Sequence, residues 1–505
     1  MSGAEPRGAL NLLVLADLHY IHHARHQCGV PQRRADMGLE LVTRAVRRAR
    51  RIADIDVIVL LGDLVDNGWA EGAERDLAEL RDALEKPGLP VIVVPGNHDG
   101  PPERVRAVFG AETGVGQIAG YQFATFADTY GPGDRCVRPV ADLVHTLCRA
   151  RHQADQPIIA LQHNPVHPPI ESAYPYMLEE RAQVMELYAE SGVALSLSGH
   201  YHPGQPPTVV RGVTYATCPA LCEAPFRFML VRMEGRQANV ETLSLAMDPE
   251  TGLVDHHCHT HYAYCAQDIT AEKVIARARD MGLARTHLTE HAGQLYMAAD
   301  DFWKGAFVTD PDLWIRARAE RNRMPAFRAE IGPLRRPEVR WGLEVECDGL
   351  GRLTLADEDR EGWDVLVGAL HYLPATVGAG AMDPARLTRE FMTFSEHLLR
   401  QGAQILAHPF RIIRKAKVPV PEWLFAPLVD MLASYGAAAE LNFHTNQPDP
   451  RFFAACLERG VRISLGSDSH AMYEVGDFAP HLRLLEDIGV TRDRLPDVLF
   501  GLSAS

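Results

Sequence analysis

The chain has 505 residues, 46% of them hydrophobic and 23% charged, so it can bury sizeable cores and lacks the composition of a disordered protein. Its formal net charge is −15, which argues against a broad electrostatic grip on nucleic acid, because that grip comes from Lys and Arg neutralising phosphates. The length suits two large α/β domains or about three of ordinary size.

The nine cysteines form no CxxC pair and show no dense spacing. This usage is typical of reduced thiols in a cytosolic protein rather than of a disulfide framework. The first residues lack a basic segment followed by an apolar stretch and a cleavage site, and no apolar run approaches the length of a membrane span. We therefore expect a cytoplasmic protein without a membrane partner.

The first half alternates short apolar runs with amphipathic stretches. Helices are predicted over 38–52 and 70–85, where apolar residues recur every three or four positions. Residues 208–246 contain strand-like pieces that suit an edge or a second sheet. Buried strands are predicted at Leu12–Ala16, Val57–Leu61, Val91–Val94, Ile158–Leu161 and Ala194–Leu197.

Each of these predicted strands is followed by side chains that bind metal ions. Carboxylate, amide and imidazole groups suit hard and borderline cations, and loops at strand ends can turn several of them toward one point. The segments are ADLHY, LLGDLVDN, VPGNHDG, ALQHNP and LSGHYHPG, and their candidate residues are Asp17, His19, Asp63, Asn97, His98, His163, His200 and His202.

A second series begins after the turn MDPETG at Met247–Gly252, which predicts domains over 8–247 and 252–505. Helical stretches at 271–281, 385–401 and 422–435 separate most of the new strands. Strand–helix alternation with polar groups at the carboxyl ends of the strands predicts a (β/α) barrel with its site on that face. Seven strands are predicted, ending at Asp255, Thr289, Gly342, Gly368, Ala407, Leu441 and Leu465.

The second half carries its own set of metal-binding side chains. The long segment 294–336 is expected either to cross the face that bears them or to form a surface appendage. Glu346 is expected on the other side of its strand from Glu344 and is not chosen as a candidate ligand. The segments are VDHHCH, LTEH, GLEVE, GALHY, LAHPF and GSDSH, with candidate ligands His257, His259, His291, Glu344, His371, His408, Asp468 and His470.

The order DxH, GDxxDN, GNHD, H and GHxH resembles the calcineurin-like metallophosphoesterase family, including bacterial class III cyclic-nucleotide phosphodiesterases. The resemblance covers about residues 10–246 and implies a four-layer αββα sandwich with two ions, Mn, Fe or Zn. It implies that His98 faces the substrate and stabilises the phosphoryl oxygens or protonates the leaving group. The implied ligands are Asp17, His19, Asp63 and His202 for one ion, and Asp63, Asn97, His163 and His200 for the other.

The motifs of residues 252–480 resemble the polymerase and histidinol phosphatase (PHP) family, which implies a distorted (β/α)7 barrel. Two or three ions, Mn, Zn or Fe, are implied, with Glu344 as the bridging carboxylate. The implied ligands are His257, His259, Glu344 and Asp468 for one ion, Glu344, His371 and His408 for a second, and His291 and His470 for a third.

One stretch departs from the PHP pattern. A further histidine often follows the HxH pair in that family, whereas THYAYCAQD offers His261, Cys265 or Gln267. Cys265 is the best positional match and is either a zinc ligand or a buried small side chain. Arg411, three residues after His408, is a candidate for a bidentate phosphate clamp.

These resemblances predict a bifunctional metal-dependent phosphohydrolase acting on small phosphate esters. The first site would open a phosphodiester, such as a cyclic-nucleotide-like one, and the second would remove phosphate from a monoester, in sequence. Two alternatives stay open, a nuclease acting on DNA or RNA ends and two unrelated phosphatase activities, although the acidic composition disfavours nucleic acid. A binding module would require missing ligands, and the first set lacks none. The sequence indicates no oligomeric state.

Overall fold

The computed structural model describes residues 9–22, 28–110, 114–153, 156–377 and 382–502. The chain divides into two compact units, Met1–Leu245 and Ala246–Ser505. The domain limits of 8–247 and 252–505 stay predictions.

The first unit is built on two mixed sheets. One sheet has the strand order β13-β12-β1-β2-β3, the other has the order β10-β11-β9-β8-β5-β4, and β6 pairs with β7. The strands are β1 Leu10–Leu15, β2 Val57–Leu61, β3 Val91–Val94, β4 Gly114–Ile118, β5 Tyr121–Thr125, β6 Thr129–Tyr130, β7 Cys136–Val137, β8 Ile158–Leu161, β9 Val193–Ser198, β10 Gln205–Val210, β11 Val213–Thr217, β12 Arg227–Glu234 and β13 Gln237–Ser244.

Helices flank these sheets. Helix α1 has the predicted bounds, whereas α2 begins three residues later than predicted. The helices of this unit are α1 Gly38–Ile52, α2 Ala73–Glu85, α3 Pro102–Phe109, α4 Val140–Gln153 and α5 Arg181–Ser191.

The two sheets pack face to face, with Val59 of the first sheet and Leu195 of the second in one apolar core. Leu147 of α4 and Tyr188 of α5 pack against the opposite face of the second sheet. All five residues of β2 are buried, so the first sheet is covered on both faces as well. This arrangement confirms the predicted sandwich.

The second unit is a nearly closed parallel barrel whose seven strands are neighbours in chain order. The barrel closes where the backbone N–H of Asp468, three residues after the last strand, donates to the carbonyl of His257 in the first strand at 2.7 Å. This confirms the predicted distorted (β/α)7 barrel. Its strands are β14 Val254–Cys258, β15 Arg285–His291, β16 Val339–Val345, β17 Val365–Gly368, β18 Ile405–Leu406, β19 Ala438–Leu441 and β20 Ile463–Leu465.

Helices connect the barrel strands. The α-helices are α6 Ala271–Asp280, α7 Ala292–Tyr296, α8 Ala299–Trp303, α9 Ala306–Thr309, α10 Leu313–Glu320, α11 Met324–Ile331, α12 Pro374–Val377, α13 Pro384–Arg400, α14 Arg411–Lys415, α15 Phe425–Tyr435, α16 Pro450–Glu458, α17 Ala479–Asp487 and α18 Leu495–Val498. Single 3₁₀ turns in the two units lie at Ala35–Met37, Pro132–Asp134, Pro249–Thr251, Gly332–Leu334, Asp357–Asp359, Glu422–Leu424, Met472–Glu474 and Arg492–Arg494.

Three barrel strands run two or three residues past their predicted ends, through Cys258, His291 and Val345. An apolar run stops at the first polar side chain, whereas backbone pairing continues beyond it. As a result, His257, His291 and Glu344 lie within strands rather than in the loops that follow them.

The segment 294–336 folds into a series of short helices, and the expectation of a surface appendage is wrong. Phe302, Trp314 and Phe327 are buried in the main apolar core of the unit. The ring centroid of Phe302 lies 5.7 Å from that of His291, which places this part of the segment beside the candidate ligands.

Candidate metal centres

The candidate ligands of the first unit lie in the loops that follow β1, β2, β3, β8 and β9. Four of them hold backbone angles in the left-handed region, with φ of 52° at Asp17, 46° at His19, 51° at Asp63 and 65° at His200. Such angles are unfavourable for residues with a Cβ and gather at functional sites, where the surrounding fold holds them. The surrounding fold therefore holds these four residues in an unfavourable backbone conformation, which directs their side chains toward the candidate site.

One donor set joins Asp17, His19, Asp63 and His202. The Nε2 atom of His19 lies 3.3 Å from Nε2 of His202 and 3.5 Å from Oδ2 of Asp63. Nε2 of His202 lies 3.7 Å from Oδ1 of Asp17. Ligand atoms bound to one ion at about 2.0–2.2 Å stand roughly 3–3.5 Å apart, so this set fits a divalent metal.

The second donor set shares Asp63 and adds Asn97, His163 and His200. Nε2 of His163 lies 3.4 Å from Oδ1 of Asp63 and 3.2 Å from Oδ1 of Asn97. Nε2 of His200 is buried and has no hydrogen-bond partner among the described residues. Burial lowers the pKa of His200 to about 3, so its neutral ring offers a lone pair to an ion. Asp63 directs one oxygen at each set, as expected of a bridging carboxylate.

Outer acceptors fix the orientation of these imidazoles. Nδ1 of His163 lies 2.6 Å from the carbonyl oxygen of Leu61, and Nδ1 of His202 lies 2.7 Å from Oε1 of Glu223. Each Nδ1 therefore carries the proton, and each Nε2 lone pair points into the donor sets. Sequence reasoning missed Glu223, because it follows β11 in a loop without a metal-binding motif.

His98 lies beside the first set with one ring nitrogen engaged. Its Nδ1 donates to the carbonyl of Asp66 at 2.6 Å, and its backbone N–H donates to Oδ1 of Asp63 at 2.9 Å. Its ring meets that of His19 edge to face at 4.7 Å. The other ring nitrogen, Nε2, is thus the atom that can act on a substrate.

In the barrel, one donor set joins two histidines and two carboxylates, all buried. Nε2 of His259 lies 3.1 Å from both Nε2 of His257 and Oδ1 of Asp468. Oε2 of Glu344 lies 3.5 and 3.6 Å from the two imidazole nitrogens. These separations again fit one divalent ion.

Glu440 of β19 supports this set and was missed from the sequence. Its Oε1 accepts from Nδ1 of His257 at 2.7 Å, and its Oε2 accepts from the backbone N–H of His408 at 2.7 Å. A Cβ at Gly466 would collide with the Glu440 carboxyl group, so the neighbouring strand leaves room for it. A lone glutamate inside the apolar run AAEL is the signal that could have found it.

A third group of buried donors combines His259, His291 and His470. Nε2 of His291 and of His470 have no hydrogen-bond partner in the part of the chain that the structure describes. Against the effect of burial, Glu344 and the thiol of Cys265 raise the pKa of His291, which places Cys265 beside this ring. His261 instead pairs with Glu330 at 3.5 Å and its side chain is 48% exposed. Of the alternatives for a further ligand, Cys265 is the one that faces this group.

The remaining predicted set, Glu344, His371 and His408, is engaged by a guanidinium. Nη2 of Arg411 lies 2.7 Å from Nε2 of both His371 and His408, and Nη1 lies 2.7 Å from Oδ2 of Asp468. Oε1 of Glu344 lies 3.3 and 3.1 Å from the same imidazole nitrogens. Arg411 is therefore directed into the cluster, and this set does not fit a metal ion in addition to the guanidinium.

The expectation that Glu346 lies on the other side of its strand from Glu344 is wrong. Alternate residues of a strand share a face, and Glu346 follows β16 directly. Its Oε1 lies 3.1 Å from Nδ1 of His371 and 3.6 Å from Nδ1 of His291. Glu346 therefore belongs to the same cluster as Glu344.

Comparison with known proteins identifies both units. The family model for calcineurin-like phosphoesterases matches residues 10–204, and the model for the PHP domain matches residues 255–444. The chain is a fusion of these two families. It is a phosphoric ester hydrolase, and both families depend on divalent metals, in keeping with the clusters of His, Asp and Glu in each unit.

The fusion also resembles individual proteins. It is 27% identical over 262 residues to a protein of Deinococcus radiodurans named "Probable histidinol-phosphatase", covering 47% of this chain and 95% of the relative. It is 31% identical over 175 residues to a "Probable cyclic nucleotide phosphodiesterase" of Synechococcus sp., covering 33% of this chain and 64% of that one. A dimetal phosphatase of Danio rerio aligns over 46% of the fusion and 98% of its own chain, at 16% identity and a TM-score of 0.36.

The individual ligand assignments in the fusion stay predictions. The structure brings the predicted first-unit residues together around Asp63 and the predicted barrel ligands together around Glu344. Among the described residues, none of the helices is both long enough and apolar enough to cross a membrane.

Proposed function

We propose that the chain is a bifunctional phosphohydrolase whose first unit opens a small phosphodiester and whose barrel removes phosphate from a monoester. The observation that carries the proposal is that each unit has its own buried donor cluster around one carboxylate, Asp63 or Glu344. Separate clusters allow two separate hydrolytic steps. Paired divalent ions, when bound, would polarise the phosphoryl group and supply hydroxide for attack at phosphorus.

In the first unit, His98 acts on the leaving group. Because its Nδ1 donates to the carbonyl of Asp66, the protonated ring presents Nε2–H to the substrate, and that proton passes to the departing ester oxygen. An imidazole suits this step because its ordinary pKa lies near working pH. The His98 ring is then neutral and takes up a new proton from solvent before the next turnover.

Support for a diester with a flat organic substituent comes from the wall of the first site. The rings of Tyr174 and Tyr176 lie 5.7 and 5.4 Å from the ring of His200, and Tyr174 is 36% exposed. Exposed aromatic faces stack on planar groups such as nucleobases. The Synechococcus relative is named "Probable cyclic nucleotide phosphodiesterase", which agrees with such a substrate.

Support for a monoester at the barrel comes from its charges and from a relative. The guanidinium of Arg411 lies 2.7 Å from Asp468 and from the imidazoles of His371 and His408, which places a cation within the cluster. A monoester phosphate carries up to two negative charges, and such a cation favours it over the singly charged diester. The name of the Deinococcus relative, a histidinol-phosphatase, also denotes a monoesterase.

The test uses a pair of matched variants of the full chain, supplied with manganese and a panel of cyclic nucleotides, nucleoside monophosphates, sugar phosphates and oligonucleotides. Asp63→Ala should abolish diester hydrolysis and spare monoester hydrolysis. Glu344→Ala should stop the reaction at the monoester, which accumulates stoichiometrically and is identified by phosphorus NMR.

Equal loss of both activities in either folded variant would contradict two independent sites. If the wild type also stops at the monoester and the barrel accepts only unrelated phosphates, the sequential scheme fails and two separate activities remain. Cleavage of oligonucleotides alone would instead favour a nuclease. The cytoplasmic location stays a prediction.

A further inference from the structure

We propose that the guanidinium of Arg411 takes the place of a metal ion among Glu344, His371 and His408. The barrel centre would then combine two bound ions with one organic cation that belongs to the chain. This inference rests on the proposed metal centre of the barrel, but not on the identity of its substrate.

His371 has a single ring lone pair, and Arg411 occupies it. Its Nδ1 lies 3.1 Å from Oε1 of Glu346, and a carboxylate accepts rather than donates, so Nδ1 carries the ring proton. Nε2 then has one lone pair, which points at Nη2 of Arg411 at 2.7 Å. A single lone pair cannot serve both an N–H donor and a metal ion.

His408 is engaged by Arg411 in the same way. Its Nε2 lies 2.7 Å from the same Nη2 atom, and a guanidinium has donors only, so this nitrogen must be the acceptor. Nη2 carries two hydrogens and faces two imidazole lone pairs, so each N–H has one acceptor and neither imidazole has a lone pair left for a metal ion. Both imidazoles of the set are thus occupied by Arg411.

The position of Arg411 is well supported by its surroundings. Its other nitrogen, Nη1, donates to Oδ2 of Asp468 at 2.7 Å, and Nδ2 of Asn442 contacts the same oxygen at 3.2 Å. The side chain is only 5% exposed, and it opens α14 after Phe410, which holds a φ of 68°. Its Nη donors are engaged by Asp468, His371 and His408, and the Asp468 carboxylate compensates part of the cost of burying the guanidinium charge.

The other two donor groups of the barrel do not use the atoms that bind Arg411. Asp468 faces Arg411 with Oδ2, while its Oδ1 lies 3.1 Å from Nε2 of His259. Nε2 atoms of His291 and His470 have no hydrogen-bond partner among the described residues. Two ions therefore fit beside Arg411, one between His259 and Asp468 and one between His291 and His470.

A crystal structure of the manganese-loaded full chain tests this directly through anomalous differences. We expect two peaks in the barrel and Arg411 still bonded to both imidazoles. As a second measurement, Arg411→Met should bind one more manganese per chain than the wild type by elemental analysis. Arg414→Met is the matched control, since Arg414 lies on the same helix but bonds to Pro409 and Asn446, and its metal content should not change.

A peak within bonding distance of Nε2 of both His371 and His408, with Arg411 displaced, would overturn the inference. So would an Arg411→Met variant that is folded and holds the wild-type number of ions. A barrel without any ion would contradict the proposed metal centre itself, and the crystal distinguishes that result from the other two.

Discussion

Replacing Glu440 with Gln should weaken metal binding in the barrel while preserving its shape. The carboxylate is 1% exposed and accepts from Nδ1 of His257 at 2.7 Å, from the backbone N–H of His408 at 2.7 Å and from Nδ2 of Asn442 at 3.1 Å. A glutamine amide has an oxygen on one side only. Its NH₂ group must therefore face either His257 or His408, each of which presents a donor.

The expected magnitude follows from the loss of one of these short hydrogen bonds. Removing the outer partner of a metal-bound imidazole typically weakens metal affinity by about 10–100-fold, which is roughly 1.4–2.7 kcal/mol. Affinity would be measured by competition with a chelator of known strength, with the first unit's ions in the same chain as an internal reference. Monoester hydrolysis should fall at limiting metal and recover at high metal, whereas diester hydrolysis should not change.

Glu223→Gln provides a matched control in the first unit. Glu223 accepts from Nδ1 of His202 at the same 2.7 Å, but its side chain is 31% exposed. Water can replace the lost acceptor there, so we expect less than about a 10-fold loss of affinity. An unchanged affinity in Glu440→Gln, or a larger loss in Glu223→Gln, would refute the reasoning that burial of the outer carboxylate decides its contribution.

Three further predictions concern single side chains. His98→Ala should keep the metal content and lower diester turnover by about 10²–10⁴-fold, whereas loss of metal would make His98 a ligand. Cys265→Ser should lose zinc from the third donor group and keep the other barrel ions, and an unchanged zinc content would indicate that Cys265 is a packed side chain. Burial lowers the pKa of His287 to about 4, so the unfolded chain binds the extra proton between about pH 6.5 and 4, and stability should fall as pH falls across that window. The free energy of unfolding should fall by roughly 3 kcal/mol across this window. In His287→Leu, the melting temperature should depend less on pH over the same range. An unchanged pH dependence would show that the folded protein does not hold the His287 ring neutral.

The sequence was enough to predict which residues of the first unit come together around Asp63, although their roles as ligands stay predictions. Each of its strands is a short apolar run, and its ligands follow within a few residues, because parallel strands present their carboxyl ends at one edge. Asp17 and Asp63 therefore lie close together because β1 and β2 are parallel neighbours in one sheet, whereas their approach to His200 depends on the packing of the two sheets. The motif order and the strand–helix alternation were equally sufficient to predict the seven-stranded barrel.

The tertiary structure alone decided which residues surround the barrel ligands. His257 meets Glu440 across 183 residues of sequence, and Arg411 meets Asp468 across 57. Neither contact has a local pattern, because a buried hydrogen bond depends on where two distant strands place their side chains. Sequence spacing could suggest that Arg411 lies near the site, but only the packed barrel shows its guanidinium turned inward, where carboxylates and imidazole lone pairs compensate the cost of burying its charge.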